Sequence, residues 1–360
     1  FGSSIHFFSS QSPQCSSESV PCSAGCLPLQ PGAPVMRGAT AALAAVLLGV
    51  VRGQSPGFLL ISAPHRGTVS WVRLPEGGSY EGLTPRTLID EGLQHPQGIA
   101  VDQKRKLLYV ADPDVQRIYR YQLRVEGQAL HAGDRSVLAR DAEARWVAVD
   151  GVGSVFFTDE PQSRILKVTA EQALRGGTPQ SAVVHSGDEI AQVNEPGGVA
   201  VDNFNVFWTN KHFGTQVGSV VSGAEHRTDG ADVVNVLSRN VAKSYGICLA
   251  LGNIYYTDAK HHIYGVKKRG GPAAVVSSEL ASPRGCAFDG DGTVYVADRE
   301  RNGVYAFAGN MPTITAAPVT KVFDVEDAFG LAVAMDTSAA GRGSAAAALL
   351  AAILAAAFRR

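Results

Sequence analysis

One short phrase recurs along this chain: two apolar or aromatic residues, a small residue, then an acid or its amide. It reads "LYVAD" ending at Asp112, "VFFTD" at Asp159, "VFWTN" at Asn210, "IYYTD" at Asp258 and "VYVAD" at Asp298. The copies stand roughly 40–50 residues apart, a period that marks repeat architectures. Length alone would divide 360 residues into about two domains. A closed array of repeats fills the same length as one unit, so the repeat takes precedence.

Each copy belongs to a longer unit. Units begin at His95 ("HPQGIAVDQKRKLLYVADPDVQRIYRYQL"), Glu143, Glu195, Lys243 and Ser282. Every unit has a turn, a glycine (Trp146 in one copy), a short apolar strand, a polar turn and a second strand ending in Asp or Asn. A loop and a third strand follow, and a fourth short strand such as "AVVHS" or "VVNVL" fits before the next copy. Four short strands per unit, punctuated by Gly and Asp, predict propeller blades. Helical periodicity is nearly absent, "AEQALRGG" being the one helix-like turn. The segment from Gly57 supplies second and third strands but no first, and "DAFGLAVAM" from Asp327 matches the missing first strand. The expected fold is all-β: a six-bladed β-propeller of four-stranded blades, closed by a C-terminal strand that completes the first blade. Closure removes open sheet edges.

The units "GIAVD…LYVAD", "VAVD…VFFTD", "GVAVD…VFWTN" and "IYYTD" resemble the six-bladed propellers of the NHL and YWTD (low-density-lipoprotein-receptor class B) repeat group, over about Gly57–Ser338. The resemblance implies the fold strongly and a function weakly, because this fold hosts receptors, scaffolds and enzymes.

Residues repeated in every blade read as architecture. Phe207, Trp208, Tyr255 and Tyr256 are expected to fill the wedges between blades. Asp112, Asp159, Asp258 and Asp298, with the second series Asp102, Asp150, Asp202 and Asp289, are expected to accept backbone N–H groups at turns, as buried acids require. Function should sit where blades differ. The turns entering the inner strands offer His95 and Gln97, Glu143 and Arg145, Glu195, Lys243 and Tyr245, Ser282 and Arg284, and Asp327 and Phe329. These should ring the mouth of the central channel. The loops after the second strands share that face and carry His65, Arg66, Lys211, His212, Phe213, Lys260, His261, His262, Arg299 and Arg301. Bases outnumber non-repeat acids there, so the face favours an anionic partner. The chain's net charge of -1 argues against a chain-wide grip on nucleic acid.

The resemblance extends to enzymes. Regucalcin-like lactonases and paraoxonase-like hydrolases hold a divalent metal in the channel on oxygen ligands, which suit calcium. The matching donors here are Glu143, Asn194, Glu195 and Asp327, but Arg145, Arg284 and Lys243 share the mouth and oppose a cation. Peptide-amidating lyases need several channel histidines, and only His95 occupies such a turn. Strictosidine-synthase-like enzymes ask for little more than one channel acid. No Ser/His/Asp spacing or nucleotide fingerprint stands out. Adjacent His261 and His262 point opposite ways in an extended segment and make a poor chelating pair.

The chain's ends differ from its middle. Residues 1–35 are rich in Ser, Pro and Gly and carry Cys15, Cys22 and Cys26; the chain begins with Phe, and they read as a non-native or disordered extension. Residues 36–53 start Met36-Arg37 and run apolar over Thr40–Val51, the pattern of a signal peptide. Residues 54–338 are the expected propeller. In residues 339–360, Ala345–Phe358 is apolar, short of the roughly 20 residues that span a bilayer. It fits a glycolipid-anchor signal or a short transmembrane segment before Arg359-Arg360. Of the cysteines, only Cys248 and Cys286 fall in the propeller, offset by one residue when counted from Gly246 and Gly285. One residue reverses side-chain direction in a strand, which favours two buried thiols over a disulfide.

The sequence thus reads as an exported, membrane-attached, monomeric propeller. Its loop-rich face binds a protein, peptide or glycan without a cofactor. The alternative is a calcium-type lactonase or esterase using Glu143, Glu195 and Asp327.

Overall fold

The computed structural model describes residues 57–336, apart from 76–78, 176, 213–217, 227–233 and 241. The expected extension, signal peptide and apolar tail lie outside the described residues, as does Phe213. Six antiparallel sheets form a closed six-bladed propeller. In blade one the C-terminal strand Leu331–Met335 pairs with the N-terminal strand Gly57–Ala63, with Ile61 opposite Leu331 and Leu59 opposite Val333. Strands Thr68–Arg73 and Arg86–Ile89 complete that sheet. The inner strands of blades two to six are Ile99–Asp102, Ala144–Val149, Pro196–Val201, Ser244–Ala250 and Pro283–Phe288.

Blade two departs from four strands. Its third strand, Arg117–Glu126, pairs with both Ala129–Ala132 and Ser136–Arg140. The strand overshoots its neighbours, and Gly127, at φ 62°, turns the chain straight back on it. Helix α1 (Ala170–Arg175) occupies "AEQALR". Thr169 and Gln172 cap it reciprocally: Gln172 N–H donates to Thr169 Oγ1 (3.3 Å) and Thr169 N–H to Gln172 Oε1 (2.9 Å).

The core is six clusters, one at each blade interface. Phe58 and Leu60 face blade two, against Leu108 and Val110. Leu59 and Ile61 face blade six, against Tyr295 and Ala297. This is the period-two alternation of a strand buried on both faces. The aromatics divide the same way, with Trp208 filling the interface of blades three and four and Phe207 that of blades four and five.

The same alternation corrects the cysteine expectation. Cys248 and Cys286 form a disulfide, their Cα atoms 5.6 Å apart. Cys248 stands opposite Tyr255, whereas Cys286 stands opposite Val296, one place on from the equivalent Tyr295. Equivalent residues of successive blades point the same way round the ring. Residues that meet across an interface therefore come from opposite strand faces. The one-residue offset is what brings the two sulfurs together.

The small residue of the repeated phrase also has a role. Thr209 Oγ1 accepts Gly198 N–H (2.7 Å) and donates to Tyr245 O in the next blade (2.6 Å). Thr257 does the same between Gly246 (3.1 Å) and Arg284 O (2.7 Å), and Ser62 between Gly330 and Gln97. Where the small residue is Ala111 or Ala297, the glycine bonds the next blade directly: Gly98 N–H to Arg145 O (2.9 Å) and Gly285 N–H to Phe329 O (2.8 Å). Glycine is required because the strands nearly touch; a Cβ on Gly98 would lie 2.6 Å from Trp146 Cα.

The acids behave as expected of architecture. Asp112 accepts Gln94 and His95 N–H, and Asp298 accepts Ala281 and Ser282 N–H. Asp102, Asp150, Asp202 and Asp289 each cap the turn that follows them. Asp159 instead pairs with Arg164 at 2.6 Å.

Candidate functional site

The entries to the inner strands and the loops after the second strands open on one face, called top here. The turns joining first to second and third to fourth strands open on the other. Down the axis runs a cavity of about 270 Å³, lined by all six inner strands and dominated by residues such as Ile99, Val147, Val199, Leu249 and Val333, with the disulfide in its wall. The side chains lining the channel are therefore mostly apolar, while the inner strands turn their backbone edges to it.

At the top the channel is obstructed. Trp146 of blade three stacks on Phe329 of blade one, centroids 5.4 Å apart, with blade two between their strands. Both rings are buried, and Tyr245 of blade five packs against the same cluster. Trp146 stands where the other blades have glycine. Thr158, which would bridge from that position, has its hydroxyl buried without a hydrogen-bond partner. A cation lies over each of two mouth rings: Arg284 is 4.3 Å and Lys211 5.5 Å from the Tyr245 centroid, and Arg299 is 5.8 Å from that of Phe329.

Several of the expected mouth residues are ion-paired, most of them in two groups. In the first, Arg145 joins Glu143 to Glu160 (Nε–Oε2 2.9 Å), and Lys211 pairs with the same Glu160. Burial pulls the Lys211 ammonium below its ordinary value, and Glu160 opposes that shift. In the second, Arg299 Nε contacts Asp327 Oδ1 at 2.7 Å while its Nη2 donates to the His65 ring at 2.8 Å. His65 in turn lies edge-on to His95, and Arg66 pairs with Glu326. Glu195 pairs with His212. Glu195 (φ 46°) and Asp327 (φ 57°) are both left-handed, and each is pinned by the preceding blade. Ser163 Oγ accepts Glu195 N–H (3.1 Å), and Asn302 Oδ1 accepts Asp327 N–H (2.9 Å).

Some expected ring members are not presented to solvent. Gln97, Lys211 and Asp327 are buried. Gln97 is enclosed because its carbonyl is the seam between blades one and two. Lys211 and Asp327 are drawn in by Glu160 and Arg299. The oxygen donors weighed for calcium have other contacts in this structure. Glu143 and Asp327 pair with Arg145 and Arg299, and Glu195 contacts the His212 ring, whereas Asn194 is held only through its backbone N–H, which donates to Asn210 Oδ1. Among the described residues, no group of three or more His, Cys, Asp or Glu is placed to hold a metal ion. His261 turns to Ala281 O and His262 to Asp258, so the adjacent histidines diverge.

Bases outnumber acids among the unpaired groups of this face, Glu300 being an exposed acid without a basic partner among the described residues. Among the described residues, Lys243, Lys260, Arg284 and Arg301 have no carboxylate partner. Arg284 is the most enclosed of these; its guanidinium donates only to its own strand's Pro283 O, and burial lowers its pKa. It borders a top-face cavity of about 630 Å³ between blades six and one, with His65, Arg66, Arg299, Glu300 and Asp327. Sequence reasoning named the basic side chains but missed the Trp146–Phe329 closure. The only signal was Trp146 in a glycine place.

No family model and no curated protein sequence matches the chain. Among solved structures, one chain of the crystal structure of a nidogen/laminin complex superposes with a TM-score of 0.61 at 16% identity, covering 78% of this chain and 98% of that one. A streptogramin B lyase structure gives a TM-score of 0.44 at 14% identity, covering 64% and 68%. The first of these likenesses bears on the fold, which is that of a six-bladed propeller.

Proposed function

We propose that this propeller is a binding module that recognises an acidic segment of a partner protein on its top face. One observation carries the reading: the mouth is stopped by the Trp146–Phe329 stack and its acids are each in contact with a basic or histidine side chain, while Arg284 and Lys243 have no carboxylate partner at the rim. A stopped mouth offers no passage to a reaction centre in the channel, whereas a rim of cationic groups suits a protein contact. The nidogen/laminin structure contains a propeller in a protein–protein complex, which is consistent with such a role. The disulfide supports an oxidising compartment and thus export. Attachment of the exported chain to a membrane through residues 339–360 completes the reading.

The test is selection from a displayed random-peptide library against the full chain. The reading expects enrichment of Asp- and Glu-containing peptides whose affinity falls with salt and is lost in Lys243→Glu/Arg284→Glu. Selection of neutral peptides, or binding indifferent to that double substitution, contradicts it.

A further inference from the structure

The bottom face carries an unexplained apolar ridge. Val152, Phe204 and Leu251 occupy the equivalent first-to-second-strand turns of blades three, four and five, and are 60%, 79% and 66% exposed. Of the five large hydrophobic side chains exposed among the described residues, a fourth, Leu174 on α1, follows the third strand of blade three to this same face. Isolated exposed apolar residues need no explanation, but adjoining turns that repeat the choice do. The turns are bonded to one another: Gly151 N–H donates to Asn203 Oδ1, and Lys268 from blade five reaches both Gly252 O (3.0 Å) and Asp202 (3.0 Å). Leu251 adds backbone strain, since it holds φ 55° in a two-residue turn where glycine or asparagine is favoured. Neither strain nor exposure is repaid by any packing within the blade.

Charge and chain direction indicate what covers the ridge. Lys104 flanks it from blade two, donating to Gly151 O, and Arg269 flanks it from blade five, exposed and without an acid partner among the described residues. The last described strand descends to this same face. Met335 N–H donates to Gln103 Oε1 (2.9 Å) and Lys106 Nζ donates to Met335 O (2.7 Å), both in the blade-two turn. The last described residue, Asp336, therefore lies on the bottom face, and the sequence that follows contains the apolar run Ala345–Phe358.

We propose that the bottom face lies against an anionic lipid bilayer, with Val152, Phe204 and Leu251 entering the interfacial region and Lys104 and Arg269 contacting headgroups. Aromatic and aliphatic tips beside basic side chains match the interface, where apolar burial and attraction to anionic lipid add together. The inference rests in part on the tail reading above, because a tail inserted in the membrane would hold this face, and not the top face, next to the bilayer. The binding face would then point away from the membrane.

The experiment uses the full chain carrying Phe204→Trp, with the wild type as blank. The native tryptophans Trp71, Trp146 and Trp208 are buried, whereas position 204 is exposed and outside the core. Phosphatidylcholine vesicles, with and without phosphatidylserine, are doped with brominated phosphatidylcholine. Co-sedimentation reports attachment, and fluorescence quenching reports whether the introduced indole meets lipid. The proposal expects bromolipid quenching of the variant but not of the wild type, stronger with phosphatidylserine. Adding Val152→Ser/Leu251→Asn should weaken vesicle binding by roughly tenfold. Co-sedimentation with an indole still open to aqueous iodide would overturn the proposal and leave the tail reading standing. An indole shielded from iodide before vesicles are added would show the ridge covered by the tail or a second copy, and would also overturn it. Absence of co-sedimentation would overturn both readings.

Discussion

Trp146 and Phe329, 183 positions apart in sequence, stack across the top of the channel from blades one and three at 5.4 Å. The contact bridges over blade two, so it closes the mouth and ties together blades that share no interface. It also explains why one blade gives up the glycine that the others need: the indole occupies the axis instead of a neighbour's backbone.

Phe329→Ala should remove this closure without touching a sheet bond. Truncating a buried aromatic costs about 3–5 kcal/mol, and the Trp146 indole should become accessible to solvent quenchers in the native state. Urea unfolding and iodide quenching, read against a Trp146→Phe background, check both. Unchanged quenching would mean the stack does not close the mouth.

The hydroxyl bridges predict an order of substitutions that size alone would not. Thr257→Ala reproduces the arrangement of blades two and six, where glycine bonds the next blade's carbonyl directly. Thr257→Val keeps the shape but leaves Gly246 N–H and Arg284 O without the hydroxyl. The valine variant should lose about 1–3 kcal/mol and the alanine variant less. Equilibrium unfolding of the two proteins decides it, and a larger loss for alanine would contradict the bridge.

The disulfide joins inner strands of blades five and six across a sequence separation of 38. Loop-closure entropy for such a loop gives about 3–4 kcal/mol. Cys248→Ser/Cys286→Ser should fall by that order in urea unfolding, and reduction of the denatured proteins should free two more thiols to Ellman's reagent in the wild type than in the double variant.

Glu225 is buried with one carboxylate oxygen unpartnered, and burial, aided by Asp150, raises its pKa above the ordinary glutamate value. A carboxyl whose folded-state pKa is raised binds more protons folded than unfolded between the two values, so it lowers stability as pH rises through that window. Glu225→Gln should therefore match the wild type below about pH 4 and be the more stable protein at neutral pH. Unfolding midpoints of both proteins across pH measure this, and a gap that closes toward neutral pH would contradict the burial argument.

Much of the architecture was legible because the repeat is written five times. Its period marked six blades, and "DAFGLAVAM" announced the closing strand before any pairing was known. The acid series was readable because one residue type recurs at each turn. What stayed hidden depends on relations between blades. The cysteine offset was read as divergence because strand alternation was applied within one strand, whereas contact across an interface inverts the parity. The Thr and Ala of the repeated phrase looked interchangeable as small residues, yet they select a bridged or a direct bond. Contacts between the mouth turns and the neighbouring loops were not visible in the sequence. Nothing local tells Glu195 to meet His212 or Asp327 to meet Arg299.

The central claim is that the mouth acids are committed to basic partners and the top face acts by binding. Elemental analysis of the full chain, purified without chelators beside Glu195→Ala, tests it most directly. The account predicts far less than one calcium or zinc per chain in both proteins. About one metal per chain in the wild type, lost in the variant, would contradict it and make the mouth a metal centre.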